Sequence, residues 1–389
     1  MNLHTLKKEF EQLQTPFYFY DTELLQQTLD TIRCASASLP NAHVHYAIKA
    51  NANPALLQMI AANGLGADCV SGGEIKAALA AGFPASRIVY AGVGKSDWEI
   101  ELGIDQDIAC FNVESLPELE VISEIAERKG KIAKVAFRIN PNVDAHTHEK
   151  ITTGLNENKF GIAMEDMVEA IHCADRLPGV EYVGLHFHIG SQILQLDVYE
   201  ALANRINELQ LQLEKENITT RSINVGGGLG IDYDDPHSNP IADFTTYFQI
   251  FKNHLHLRPG QELHFELGRS VVAQCGSLIA RTLYVKKGHS KQFVIVDAGF
   301  TELVRPAMYD AHHFTENISA EPGAKQELYD VVGPICESSD VFSKNESLPL
   351  TSRRDLIAFR SAGAYGEVMA SCYNCRSLPQ SYTDKDFKK

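Results

Sequence analysis

The chain contains 389 residues, of which 44% are hydrophobic and 22% are charged, a composition typical of globular proteins. Its formal net charge of −15 leaves no basic excess to neutralise phosphates, which argues against a binder of nucleic acid or of anionic membranes. The length is sufficient for two domains, or for one large barrel with an additional module.

The N-terminal segment and the cysteines are typical of a cytoplasmic protein. The first residues, Met1 to Gln14, are polar and charged, unlike a secretory signal. No apolar stretch is long enough for a transmembrane helix. The eight cysteines are scattered, as expected of reduced thiols. Cys372 and Cys375 have the CxxC spacing, but no second pair accompanies them, and we predict no metal site.

Strands alternate with helices as far as Leu267. An aromatic strand, Phe17–Tyr20, precedes a helix that begins at Asp21. The strands predicted next are Val44–Ala50, Ala67–Ser71, Ile88–Ala91, Ile108–Val113, Lys134–Asn140, Tyr182–Ile189, Ser222–Val225 and Leu263–Leu267. The helices between them are predicted near Pro54–Asn63, Gly73–Ala81, Ser96–Leu102, Pro117–Lys129, Glu165–Ala174, Val198–Glu216 and Ala242–His256.

This alternation predicts an α/β fold, a closed (β/α)8 barrel of the TIM type with functional residues where its strands end; an open, doubly wound sheet is the alternative. After Arg269 long helices disappear, and short strands predict a C-terminal β-domain. These strands are Val271–Ala273, Ser277–Val285, Gln292–Val296, Tyr329–Val332 and Asp355–Phe359. We predict a barrel of residues 22–265 and a β-rich domain of residues 1–21 and 266–389, to which the N-terminal strand is joined.

Lys49 follows the first barrel strand, in the segment Tyr46–Asn51. Partial burial there would lower the pKa of the lysine, and a neutral amine reacts with the aldehyde of a cofactor. On this segment alone, a lysine that extends from a strand end into solvent is the simpler interpretation.

His186 and His188 close the sixth barrel strand and, two residues apart, share one of its faces. Three interpretations are open: a metal site that uses both imidazoles, a flat cofactor stacked on one ring, or two histidines bonded within the core. Taken alone, the pair favours the last of these interpretations.

Glycines and a carboxylate end the next two strands. Gly226, Gly227 and Gly228 follow the seventh strand, where a TIM barrel binds phosphate, and their N–H groups can converge on an anion; a tight turn is the alternative. Glu266 and Arg269 follow at the eighth strand. The carboxylate can keep a pyridine nitrogen protonated and the guanidinium can bind an anion, although a structural ion pair explains both equally well.

Polar segments elsewhere have the composition of binding loops. One is the long loop after the fifth barrel strand, with Asp144–Lys150, Thr153-Gly154 and Lys159–Gly161. The others lie in the β-domain and are Arg305–Tyr309, Cys336–Asp340 and Gly363–Gly366.

Together these segments resemble the alanine-racemase-like barrel decarboxylases that use pyridoxal 5′-phosphate, the fold type III family. The resemblance runs from Thr15 to about Asn374 through motifs in the family's order. They are YAIKAN, GADCVSGGE, HTHEK with TG and KFGI, HIGSQ, GGGLGIDY, ELGR, RPAMY, CESSD and GAYG. The chain departs from the family at Leu267, where proline is common, and the tail after Arg376 matches no pattern.

The resemblance implies that Lys49 binds the cofactor aldehyde covalently and that His188 stacks on the cofactor ring. The other implied cofactor ligands are Asp68, Ser191, Gly227, Gly228, Glu266, Gly268, Arg269 and Tyr365. The implied substrate ligands are Arg269, Arg305, Tyr309, Glu337 and Tyr365. Cys336 resembles the family's proton donor, which is supplied across the interface of an obligate homodimer, so Lys49, His188 and Cys336 are the expected catalytic residues.

The implied reaction is the decarboxylation of meso-2,6-diaminopimelate to L-lysine and carbon dioxide, the last step of lysine biosynthesis, since Arg269 and Arg305 together suit a substrate with a second carboxylate. The alternative within the family is another basic amino acid or carboxynorspermidine. Outside it, a metal-dependent hydrolase would use His186 and His188, and a non-catalytic homologue would bind the cofactor to regulate a partner. We expect no nucleic-acid or membrane partner.

Overall fold

The computed structural model describes residues 2–143 and 159–387, so the predicted loop segments Asp144–Lys150 and Thr153-Gly154 lie outside the described residues. The chain forms two compact units. The barrel unit comprises Leu29–Gly230 and Asp243–Gly268, and the sheet unit comprises Met1–Thr28, Ile231–Ala242 and Arg269–Lys389. None of the described helices is long and apolar enough to cross a membrane.

The first strand of the chain, β1 (Phe17–Tyr20), belongs to the sheet unit. The barrel strands follow in order: β2 Ala42–Ala47, β3 Gly66–Cys69, β4 Ile88–Tyr90, β5 Cys110–Val113, β6 Ala133–Arg138, β7 Val180–His186, β8 Ser222–Asn224 and β9 Glu262–Leu267. Each strand pairs in parallel with the next, and β2 pairs with β9 to close the ring. The predicted barrel is therefore confirmed.

Helices precede and separate the barrel strands, and several begin at polar capping residues. They are α1 Lys7–Phe10, α2 Thr22–Ser36, α3 Pro54–Ala62, α4 Gly72–Ala80, α5 Asp97–Asp105, α6 Leu116–Arg128, α7 Met167–Arg176, α8 Asp197–Lys215 and α9 Phe244–His254. The side chains of Asn53, Ser71 and Ser115 each accept an N–H from the first turn of the following helix, which satisfies a donor that the helix leaves unpaired.

Successive side chains along each strand point alternately into the barrel and out of it. On β9, Phe265 packs against Phe248 of α9, with ring centroids 4.8 Å apart. The next residue, Glu266, points the opposite way and meets His186 of β7 inside the barrel. The inner layer at this level is therefore polar, whereas the outer face of the same strand is apolar.

The sheet unit contains a mixed sheet in the order β12-β15-β10-β11-β13-β14. Its later strands are β10 Gly276–Lys287, β11 Gln292–Val296, β12 Thr315–Asn317, β13 Gln326–Val332, β14 Val341–Pro349, β15 Leu356–Phe359 and β16 Gln380–Thr383. Strand β1 pairs with both β10 and β16, which confirms that the N-terminal strand joins the C-terminal β-domain.

Two local predictions in this unit were wrong. Val271–Ala273 was predicted as a strand, but Arg269–Val272 forms the short helix α10, whose four residues are all buried. Arg305–Tyr309 was predicted as a loop and forms the short helix α11, with Pro306 in its first turn. In the first case burial in the folded unit overrides a short local preference, and in the second Pro306 occupies a first-turn position that helices tolerate.

Candidate active site

Lys49 follows β2 in a short 3-10 turn, Ile48–Ala50, so the predicted strand extended three residues too far. The Tyr46 hydroxyl donates to the carbonyl of Asn51 at 2.9 Å, which closes this turn. The lysine side chain is exposed, and the partial burial that we expected is not found. Its charge nevertheless acts on Asp68 and His188, so the three residues belong to one electrostatic group.

Glu266, at the end of β9, is buried and held by three side chains. Its Oε2 accepts a hydrogen bond from His186 Nε2 at 2.9 Å. Its Oε1 accepts from Asn112 Nδ2 at 3.1 Å and from Asn224 Nδ2 at 2.7 Å. Burial acts to raise the pKa of Glu266, but the neighbouring His186 outweighs it and the pKa lies below the ordinary value. The group is therefore an ionised carboxylate in a fixed position.

The turn Gly226–Gly228 is fixed against this carboxylate residue. Gly226 donates its N–H to Asn224 Oδ1 at 2.9 Å, and its carbonyl accepts the Glu266 N–H at 2.8 Å. A Cβ atom at Gly227 would lie 1.7 Å from the Glu266 carbonyl oxygen, so the close approach requires glycine. The N–H of Gly227 reaches His188 Nδ1 at 3.3 Å. Two of the N–H groups expected to face an anion are thus bonded within the protein.

Asp68 and His188 both have pKa values shifted from the ordinary ones. Burial, and secondly Glu266, raise the pKa of Asp68 well above its ordinary value. Burial, and secondly Lys49, lower the pKa of His188 well below its ordinary value, which favours a neutral ring. Asp68 Oδ1 and His186 Nδ1 are buried with no hydrogen-bond partner among the described residues.

These features fit a polar, ring-shaped ligand with an anionic group. Buried polar atoms in proteins nearly always have partners, so Asp68 Oδ1 and His186 Nδ1 point to a group that completes them. The ionised Glu266 fits a ring nitrogen that carries a proton. Among the described residues, no three His, Cys, Asp or Glu side chains are arranged to hold a metal ion, and His186 is paired with Glu266.

The sheet unit contains a second group, in which aromatic rings alternate with arginines. Arg269 lies over the ring of Tyr365, 4.9 Å from its centroid, and its NH1 donates to the Tyr233 hydroxyl at 2.8 Å. Arg305 lies 4.6 Å from the centroid of the Tyr233 ring, and its NH1 contacts His313 Nε2 at 2.8 Å. We call Tyr365, Arg269, Tyr233, Arg305 and His313 the arginine ladder.

The predicted site residues are divided between the two units. The barrel unit contains Lys49, Asp68, His188, Ser191, Gly227, Gly228, Glu266 and Gly268, and the sheet unit contains Arg269, Arg305, Tyr309, Cys336, Glu337 and Tyr365. Cys336 and Glu337 are both exposed, and the Glu337 carboxylate accepts the Tyr373 hydroxyl at 2.9 Å.

Four residues in contact with these groups were missed from the sequence. Asn112 and Asn224 hold Glu266, and Tyr233 and His313 hold the two arginines. Tyr233 lies within the GGGLGIDY motif, which was noted in the sequence without a role being assigned to this tyrosine. Asn112 had no signal beyond its position near the end of a predicted strand.

Comparisons with known proteins agree over most of the chain. Residues 25–273 match the family model of the pyridoxal binding domain of pyridoxal-dependent decarboxylases. Diaminopimelate decarboxylase of Bacteroides thetaiotaomicron is 60% identical over 97% of both chains, and that of Neisseria meningitidis is 42% identical over 94% of this chain and 87% of the other. The crystal structure of diaminopimelate decarboxylase from Helicobacter pylori, complexed with L-lysine, matches with a TM-score of 0.90 and 40% identity over 97% of this chain and 93% of the other.

Proposed function

We infer that this chain, which belongs to the diaminopimelate decarboxylases of the pyridoxal-dependent decarboxylase family, decarboxylates meso-2,6-diaminopimelate to L-lysine and carbon dioxide, the last step of lysine biosynthesis. The observation that carries the proposal is the Glu266 carboxylate, which three donors hold ionised at the end of β9. Such a group is what a pyridine-based electron sink requires, because it keeps the ring nitrogen protonated.

Bound pyridoxal 5′-phosphate supplies the electron sink for the bond that breaks when carbon dioxide leaves. In our proposal Lys49 joins the cofactor aldehyde through its amine, and the neutral ring of His188 covers one face of the cofactor. Glu266 offers its carboxylate to the pyridine nitrogen. Asp68 contributes its buried carboxyl oxygen, which has no partner among the described residues.

We assign the phosphate to Ser191, Gly227, Gly228 and Gly268. The close approach of the glycine turn to the backbone of Glu266 supports this assignment, since a side chain there would displace the turn. Arg269 and Tyr365 complete the proposed cofactor ligands.

The sheet unit binds the substrate in this proposal. Arg269 and Arg305 bind the carboxylate that the substrate keeps, because a guanidinium binds carboxylate through two parallel hydrogen bonds. Tyr309 and Tyr365 line the same substrate, and Glu337 binds its distal ammonium group. The Cys336 thiol donates a proton to the carbon from which the carboxylate has left.

We further propose a homodimer with shared active sites, in which Cys336 and Glu337 act across the interface. Both side chains are exposed, which supports a role toward a second chain. The proposed enzyme is cytoplasmic, has no nucleic-acid or membrane partner, and has a cofactor-binding domain of residues 22–265. All eight cysteines are free, as a reducing compartment requires.

The test is a carbon dioxide release assay that compares meso-diaminopimelate with L-lysine, L-ornithine, L-arginine and carboxynorspermidine. We expect kcat/KM for meso-diaminopimelate to exceed the others by about 10³-fold or more, because buried arginines without the distal carboxylate remain unpaired. An absorbance band at about 420 nm, unaffected by chelators, should accompany activity. Faster turnover of ornithine or carboxynorspermidine, or loss of activity on chelation, would contradict the proposal.

A further inference from the structure

We propose that Tyr233 and His313 are positioning residues that hold Arg269 and Arg305 as one fixed pair of guanidinium groups, and that this pair makes the enzyme select a ligand with a distal carboxylate. The inference deepens the proposed function and rests on it. No motif assigned a role to either residue. Both lie in the arginine ladder and make their contacts within the sheet unit.

Tyr233 offsets the cost of holding two buried cations together. Arg269 and Arg305 are 7% and 5% exposed, and buried like charges destabilise a fold unless other groups compensate. Tyr233 presents its ring face to Arg305 and its hydroxyl oxygen to Arg269. A ring face and a hydroxyl oxygen both attract cations, so one side chain compensates both arginines and fixes their relative position.

His313 holds Arg305 in place because its ring adopts a single tautomer. Its Nδ1 lies 2.9 Å from the carbonyl oxygen of Arg360, and only an N–H can bond there. A neutral imidazole carries one N–H, so Nε2 has a lone pair and accepts the Arg305 N–H at 2.8 Å. Burial, and secondly Arg305, lower the pKa of His313 well below its ordinary value, and the ring therefore keeps this acceptor at neutral pH.

At Arg305 the ladder compensates charge with neutral groups. Arg305 forms no salt bridge with a carboxylate in the part of the chain that the structure describes, and its partners are an aromatic ring and a neutral imidazole. Because these groups carry no net negative charge, a carboxylate of a ligand still gains full charge pairing there. A ligand with only an ammonium group at this position is repelled.

L-lysine and cadaverine form a matched pair of probes, since cadaverine is lysine without its carboxylate. The carboxylate of lysine is the one that the substrate keeps, so both compounds test the same interaction without turnover. Holoenzyme is titrated with each ligand while the cofactor absorbance is followed. We expect Tyr233→Leu and His313→Leu to raise the Kd of lysine about tenfold or more and to leave the Kd of cadaverine within about twofold.

Conservative variants separate the contacts. Tyr233→Phe keeps the ring and loses the acceptor of Arg269, so the Kd of lysine should rise by less than in Tyr233→Leu. His313→Gln offers an amide oxygen near the position of Nε2 and should recover part of the lost affinity. If a leucine variant fails to fold, the two conservative variants still test the positioning role of Tyr233 and His313.

In every variant we expect KM for meso-diaminopimelate to rise more than kcat falls. Tyr284→Leu, an exposed tyrosine of the same unit, is the control and should change neither ligand.

The outcomes distinguish this inference from the proposed function. Wild-type enzyme that binds cadaverine as tightly as lysine overturns both. Wild-type enzyme that prefers lysine, with variants that keep the same preference, overturns only the positioning role of Tyr233 and His313. Variants that lose affinity for lysine and cadaverine equally would also overturn the positioning role, since that result would indicate a purely structural function.

Discussion

Lys49 is the single amine on which the proposed chemistry depends. It ends β2 in a turn, within electrostatic reach of Asp68 and His188. A second lysine in the same unit, Lys95, is buried and donates to Glu118 at 2.5 Å, so it is not available as a substitute. We expect Lys49→Ala to lose the absorbance band at about 420 nm and to lower kcat by about 10³-fold or more.

Lys76→Ala is the matched control for this prediction. Lys76 is an exposed lysine of α4 whose amine lies 4.9 Å from the centroid of the Trp98 ring, and its removal should leave absorbance and turnover unchanged. Turnover that survives in Lys49→Ala would exclude this lysine as the residue that joins the cofactor.

His45 makes the barrel unit sensitive to acid. The ring is 3% exposed, and its Nε2 lies 2.9 Å from Nδ1 of His264. Burial, and secondly His264, lower the pKa of His45 to about 3. Between that value and the ordinary pKa of about 6.5, the unfolded chain binds a proton that the folded chain does not. Stability is therefore present above about pH 6.5 and is lost as the pH falls toward 3.

We expect His45→Gln to reduce the slope of the free energy of unfolding against pH by up to about 1.4 kcal/mol per pH unit between about pH 4 and pH 6. Urea unfolding of the apoprotein at several pH values measures it. His172→Gln, on the surface of α7 with 44% of its side chain exposed, should keep the wild-type slope. Equal slopes in wild type and His45→Gln would show that the proton is bound elsewhere.

The site residues could be proposed from the sequence, whereas the residues that hold them could not. Glu266 drew attention as a carboxylate at the end of a predicted strand, and its role was implied only by the resemblance to the decarboxylase family. Its partners Asn224 and Asn112 are 42 and 154 residues away, and barrel closure brings them together. No local pattern encodes that pairing, since it depends on which strands become neighbours across the ring.

The glycine turn after β8 joins two functions within one element. Asn224 binds Glu266 with its amide nitrogen and Gly226 with its amide oxygen, so the proposed pyridine and phosphate contacts share one side chain. Gly227 has room for no Cβ atom. We expect Gly227→Ala to displace the turn and to raise the Kd of pyridoxal 5′-phosphate for the apoenzyme about 100-fold, as measured by fluorescence titration.

Gly94→Ala controls for the loss of glycine itself. A Cβ atom at Gly94 would meet nothing within 4 Å, so this variant should bind the cofactor as wild type does. Wild-type affinity in Gly227→Ala would mean that the turn has another way to accommodate the phosphate.

Elements with a clear apolar pattern were predictable, whereas elements without one were not. The barrel helices have long apolar faces, and most were predicted to within a few residues. Thr315–Asn317 forms β12 with three residues and no apolar alternation, so it had no signal. Val271 and Val272 favour a strand locally, yet they form a helical turn because the whole segment is buried between other elements of the fold.

At the level of the whole molecule, the alternation of strands and helices favoured the barrel over an open sheet without excluding the sheet, and the short strands after Arg269 predicted the β-domain. Phe17–Tyr20 precedes the barrel and needs a partner, because a lone strand leaves its backbone groups unsatisfied. It pairs with Gly276–Ile279. The composition of the chain does not reveal the assembly state, since an interface depends on surface shape as well as on sequence.

A mixing experiment tests the proposed homodimer. Lys49 and Cys336 belong to different units of the chain, and we propose that each active site takes its Cys336 from the partner. Lys49→Ala and Cys336→Ala should each have low activity alone, whereas Cys336→Ala should keep the absorbance of bound cofactor. After the two are mixed and allowed to exchange subunits, half of the dimers are mixed, and each contains one intact site. Activity should recover to about one quarter of wild type.

Two controls are needed to interpret the recovered activity. Lys49→Ala mixed with Lys76→Ala supplies intact Cys336 on every chain, so its activity should fall only in proportion to the share of chains that keep Lys49, whether or not subunits exchange. A fusion that links a Lys49→Ala chain to a Cys336→Ala chain forces every dimer to be mixed and should reach about one half of wild type. If Cys336 acted within its own chain, the mixed dimers would contain one site without the lysine and one without the thiol. No recovery in the linked dimer, with activity in the first control reduced by dilution only, would therefore exclude the shared active site.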